Sequence, residues 1–146
     1  MLVVVDHLLK VRPSSRYAGQ PVKELDEISE AMCVMAKSLN VAVLGLHQLN
    51  RQVESRDNQR PLLSDLRGSG SLEQDADVVL FAYRPAYHYE RQMQEGENIA
   101  VAEKKLELVK HDLEIQIAKQ RHGPTKTLKF WVDMAANVVR DKEFRR

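Results

Sequence analysis

The sequence has 146 residues, 43% of them hydrophobic, a formal net charge of +1 and one cysteine. That length supports one domain, or a large piece of one, with a real core. The near-zero charge excludes recognition of nucleic acid by a globally basic surface, and the lone Cys33 excludes a disulfide framework.

The chain opens on the β-branched run Leu2-Val3-Val4-Val5. A continuous apolar strand suits a parallel sheet covered on both faces. A buried strand as the first element leads us to expect a fragment whose upstream half is missing. Asp6 follows at the carboxyl end, the edge where open α/β sheets bind ligands. Two readings of Asp6 stand side by side: a carboxylate that holds magnesium through water, or an aspartate that caps a loop. Residues 10–20 form a basic loop with Arg12, Arg16 and Gly19. It is either a solvated linker or a phosphate-contacting loop, with Arg16 as the candidate contact.

Pro21 suits a helix first turn. Leu25, Ile28, Met32, Met35 and Leu39 then mark one helical face. Glu24, Asp26 and Glu27 lie near the positive end of that helix, and Asn40 is its stop. Cys33 on this stretch is expected to be a buried free thiol. Val41 to Leu46 reads as a second buried strand, delivering His47 and Gln48 to the edge that carries Asp6. Gln48 could bond a phosphate or an attacking water, or be a satisfied strand-end amide. Residues 52–60 read as a surface loop.

Next comes Arg60-Pro61-Leu62-Leu63-Ser64-Asp65-Leu66-Arg67-Gly68-Ser69-Gly70-Ser71-Leu72-Glu73-Gln74-Asp75-Ala76-Asp77. Its glycines let backbone amides approach an anionic ligand. A third buried strand follows, Val78 to Tyr83, then an irregular polar stretch from Arg84 to Gly96 and a helix from Glu97 to Asp112. From Leu113 the period changes to two: Leu113, Ile115 and Ile117, then Leu128, Phe130 and Val132. That predicts an antiparallel hairpin, with Lys119 and Arg121 near its Gly123-Pro124 turn. Its cations either protect an edge or reach an anion on a neighbouring molecule. The tail, 135–146, is polar and basic and is expected to fray. No run approaches the roughly 20 apolar residues of a membrane span. None reads as a secretory signal, and the lone cysteine leads us to expect a reducing, cytoplasmic compartment.

Four stretches together carry a resemblance: Val3-Val4-Val5-Asp6, His47-Gln48-Leu49-Asn50-Arg51, the long segment from Arg60 to Asp77, and Ala118-Lys119-Gln120-Arg121-His122-Gly123-Pro124-Thr125. In order and spacing they resemble the carboxyl-terminal half of the bacterial replicative DNA helicase, the DnaB family. The resemblance implies an α/β fold: a partial RecA-like sheet of mainly parallel strands, flanking helices and a C-terminal antiparallel hairpin. Residues 1–134 would be the carboxyl-terminal half of the ATPase domain, without its Walker A half, and 135–146 a basic tail.

The resemblance also implies roles. Asp6 is the Walker B aspartate acting on Mg2+, and Gln48 senses the γ-phosphate of ATP. Lys119 and Arg121 are the lysine and arginine finger given to the next subunit. Arg67, Gly68 and Gly70 lie on the loop that grips single-stranded DNA. The parent would be a homo-hexamer at the replication fork that couples ATP hydrolysis to translocation and unwinding. Its partners would be primase and a helicase loader, through regions absent here. The sequence departs from the family at Gly68, where an acid is usual, and at His7, Leu9 and Lys126. It contains no GxxxxGK[ST] loop, so the 146 residues alone are expected to be inactive. The alternative is a truncated, non-catalytic module that binds nucleic acid or packs into a helicase ring. An in-frame phosphate-binding loop upstream of Met1 is the discriminator.

Overall fold

Strand β1 (Leu2–Val5) pairs in parallel with β2 (Ala42–Gly45), in the register Leu2↔Ala42 to Val5↔Gly45. The computed structural model describes residues 1–50, 53, 56, 58–66, 71–96 and 98–142. The chain divides into two units, Met1–Asp77 and Val78–Arg146. In the first unit, helix α1 (Pro21–Leu39) connects the two parallel strands, as the sequence predicts. Pro21 occupies its first turn, where the missing N–H costs nothing. Asn40 ends it in the left-handed region at φ 49°, its amide donating to the carbonyls of Ala36 and Lys37.

The core of this unit is Leu8, Leu25 and Ile28, flanked by Val5, Val11, Met32 and Leu72. Leu25, Ile28 and Met32 are the predicted helical stripe, but the stripe ends early, because Leu39 is 60% exposed. The strands also depart from expectation. Leu2 is 60% and Val4 55% exposed, and β1 alternates between exposed and half-buried positions. Leu44 and Leu46 are exposed as well. Among the described residues β1 and β2 pair only with each other. Neither strand is therefore buried on both faces. Cys33 is free and half-buried rather than buried. The short helix α2 (Leu72–Asp75) completes this unit.

The second unit is a four-stranded antiparallel sheet in the order β3 (Val78–Tyr83), β4 (Asp112–Gln120), β5 (Lys126–Asp133), β6 (Val138–Asp141). The predicted hairpin is β4–β5, with Ile117 opposite Lys126 and Leu113 opposite Phe130. Strand β3 is wholly apolar yet alternates, Val79 and Phe81 buried and Val78 and Leu80 about half exposed. Its partner β4 is antiparallel, and such a sheet packs one face and leaves the other open. The antiparallel part thus extends beyond the hairpin on both sides. Residues 138–141 of the stretch read as a tail supply β6.

The stretch Arg84–Gly96, expected to be irregular, is mostly helix: α3 (Pro85–Glu95). Pro85 starts it and Gly96 ends it at φ 79°, donating to the carbonyls of Gln92 and Met93. An ion pair between Arg84 and Glu90 and another between Arg91 and Glu95 add to its surface. Helix α4 (Ile99–Val109) packs against α3. Ala86 of α3 and Ala102 of α4 are fully buried. The α/β class expected from the sequence is the class observed.

Candidate functional site

Asp6 and Gln48 lie just beyond the carboxyl ends of β1 and β2, the two adjacent parallel strands. Two backbone bonds extend the ladder there. The Leu46 amide donates to the Val5 carbonyl at 2.9 Å, and the Leu8 amide donates to the Leu46 carbonyl at 2.9 Å. The chain segments that carry Asp6 and Gln48 therefore run beside each other, and both side chains are exposed. The Asp6–His7 peptide is cis.

Leu8 turns back into the core over Gly45. A Cβ on Gly45 would stand 2.9 Å from Leu8 Cδ2 and 3.3 Å from its Cγ. The absence of a side chain at Gly45 is thus what lets the segment after Asp6 cross the end of β2. His47, between Leu46 and Gln48, is half-buried. Burial pushes its imidazole below the usual value of 6.5, and the charge of His7 pushes in the same direction.

Arg16 is exposed on the loop before α1, in a short 3-10 turn, Ser15–Tyr17. Its guanidinium carbon is 5.1 Å from the centre of the Tyr17 ring. Arg67, Gly68 and Gly70 lie outside the described residues. What surrounds them in sequence is well braced. Asp65 accepts from the Leu62 amide at 2.7 Å and from Arg56 Nη2 at 2.7 Å. The Ser71 amide donates to Asp26 Oδ1 at 2.5 Å. The Ser71 and Ser29 hydroxyls both donate to Asp75 Oδ2 at 2.6 Å. Asp65 and Asp75 of the long motif therefore serve as braces. Ser29, at 5% exposure, is a polar residue that the helical pattern did not single out. Its only signal in the sequence was a serine beside the apolar stripe.

In the second unit, Lys119 is on β4 opposite Val79 and is half-buried, while Arg121 follows the strand and is exposed. Lys119 is the penultimate residue of β4 and Arg121 opens the β4–β5 connection, where the Gln120 side chain folds over Gly123. The structure thus brings Asp6 and Gln48 to one edge and Lys119 and Arg121 to one end of the β4–β5 hairpin. Among the described residues no group of three His, Cys, Asp or Glu side chains could hold a metal ion. A single exposed carboxylate such as Asp6 fits contact with a hydrated magnesium ion through water, rather than a protein cage. No helix among the described residues is long and apolar enough to cross a membrane.

Residues 1–139 match the model of the DnaB-like helicase C terminal domain. The replicative DNA helicase DnaB of Geobacillus stearothermophilus is 40% identical over 127 residues, which cover 87% of this chain and 25% of that protein. One solved structure, of an ATPase domain, is similar with a TM-score of 0.75 at 34% identity, over 96% of this chain and 44% of the other. A second, a DnaB-like replicative helicase studied with primase, has a TM-score of 0.71 at 35% identity, over 91% of this chain and 29% of the other. The chain spans about a quarter of the length of that curated relative. These neighbours give the RecA-like ATPase fold expected from the motifs.

Proposed function

The chain belongs to the family of DnaB-like helicase C-terminal domains, and from that premise we propose that it is part of a hexameric replicative helicase motor. In this reading residues 1–134 are the carboxyl-terminal half of the ATPase domain and 135–146 a basic extension. ATP hydrolysis by the whole assembly drives movement along single-stranded DNA and separation of the duplex at the replication fork.

The observation that carries the reading is the pairing of Asp6 and Gln48 at one strand-end edge. Asp6 would hold magnesium through water; bound there, the ion would offset charge on the nucleotide phosphates. Gln48, exposed beside it, would bond a terminal phosphate and pass its presence to the segment that follows. Lys119 and Arg121 reach the nucleotide of the neighbouring subunit, where an arginine stabilises transition-state charge. Arg67, Gly68 and Gly70 hold the DNA backbone without regard to base, with Arg16 as a further contact. Primase and a loader would engage the whole protein.

The test is binding of the 146-residue chain to fluorescent single-stranded DNA over a salt series. Arg67→Ala is expected to weaken binding and to flatten the slope of log affinity against log salt by about 0.7, the loss of one phosphate contact. Affinity and slope both unchanged would remove this loop from the DNA interface.

A further inference from the structure

The loop that carries Arg16 is clamped at two points by carboxylates of α1. Ser14 donates its amide to Glu27 Oε2 at 2.9 Å and its hydroxyl to Glu27 Oε1 at 2.6 Å. The same hydroxyl accepts from the Arg16 amide at 3.3 Å, capping the 3-10 turn that bears this arginine. At the far end of the loop the Gly19 amide donates to Glu24 Oε1 at 2.8 Å, with Gly19 at φ 81°. Only glycine adopts that φ at little cost. Glu24 and Glu27 are three residues apart, so they stand on one flank of the helix. At about 100° per residue, Asp26 and Ser29, which brace Ser71 and Asp75, fall on the opposite flank of the stripe formed by Leu25 and Ile28.

These carboxylates direct their bonds to the loop backbone and to Ser14. Among the described residues Arg16 makes no ion pair with either. Its exposed guanidinium lies over the Tyr17 ring, and Lys23 Nζ of α1 lies 5.8 Å from the same ring. Both cations therefore add to a positive field around that ring, which favours an approaching anion.

We propose that Glu27, acting through Ser14, is a positioning residue that fixes Arg16, with Lys23 at the same Tyr17 ring, for a phosphate of single-stranded DNA. This rests on the reading of the chain as a DNA-handling helicase part. Helix α1 is then the common mount of two segments, the Arg16 loop on one flank and the Ser71–Asp75 segment on the other.

The experiment measures binding of the 146-residue chain and four variants to a fluorescent oligothymidylate over a salt series, with thermal unfolding recorded for each. Arg16→Ala is expected to weaken binding and lower the salt slope by about 0.7. Ser14→Ala, which leaves the charge unchanged, is expected to weaken binding about threefold, as befits a lost hydrogen bond. Ser14→Thr keeps the hydroxyl and is expected to stay near the parent. Glu27→Gln is the decisive variant because the two explanations differ in sign. Removing a negative charge strengthens DNA binding if Glu27 acts only through its field, and weakens it if Glu27 holds the loop. If Arg16→Ala weakens binding while Ser14→Ala and Glu27→Gln do not, the positioning role is overturned and the DNA reading stands. If the parent chain binds and Arg16→Ala changes nothing, the loop is not a DNA contact and the positioning role falls; a parent chain that does not bind removes the DNA reading itself. A loss of binding in Ser14→Ala that Ser14→Thr does not rescue also overturns the role of the hydroxyl.

Discussion

His47 shows how a residue at the site edge ties stability to pH. Burial, reinforced by His7, favours its neutral form in the folded chain. As pH falls past 6.5 the unfolded chain takes up the proton first, so folding becomes less favourable. The stability associated with neutral His47 is complete above that value and is lost as pH falls through the lower folded value. The melting temperature should therefore be level above about pH 7 and decline on the acid side, and His47→Asn should flatten that decline. An acid-side slope equal to the parent's would show that other groups control it. Asp6 and Gln48 were legible in the sequence because a strand end is where polar side chains follow an apolar run. The Glu27–Ser14 clamp was not legible. It joins residues 13 apart, and no pattern of periodicity reports a side chain bonding to a loop backbone.

At the scale of elements, two glycines look alike in sequence and differ in the structure. A methyl on Gly45 meets the buried Leu8. A methyl on Gly123 meets the end of the Gln120 side chain, 2.6 Å from Nε2, and Gln120 is exposed and free to swing aside. Gly45→Ala is expected to cost about 1–3 kcal/mol through overpacking, and Gly123→Ala to stay within about 0.5 kcal/mol, as at an ordinary surface position. Urea unfolding of both variants checks this; equal losses would mean that Leu8 is not held over β2. Helices α1 and α4 were legible from their three-four spacing. Helix α3 was missed because its composition is polar and its stripe of Ala86, Tyr89 and Met93 is short. Its markers were the terminal ones, Pro85 at the start and Gly96 just past the end, and these outweighed the polar composition.

For the whole molecule, the class of fold and the order β1, α1, β2, β3, α4, β4, β5 were readable, while α3, β6 and the extent of the antiparallel sheet were not. An apolar run such as Val78–Tyr83 does not say whether its neighbour is parallel. That is fixed by β4, whose pairing is non-local. The 146 residues contain no GxxxxGK[ST] loop, the motif that cradles the β- and γ-phosphates in P-loop NTPases. A steady-state assay of the chain alone is expected to show no ATP turnover; turnover that Asp6→Ala abolishes would sink this expectation. The sequence has a single tryptophan, Trp131 of β5. It stacks on His111 at 5.0 Å, and Arg140 of β6 lies 5.8 Å from its ring centre. The first unit has no tryptophan. Emission excited at the red edge of the protein's absorption therefore comes from the second unit alone, whereas circular dichroism in the peptide region sums both. Melting curves recorded by the two signals coincide if the units unfold together and separate if each unfolds on its own.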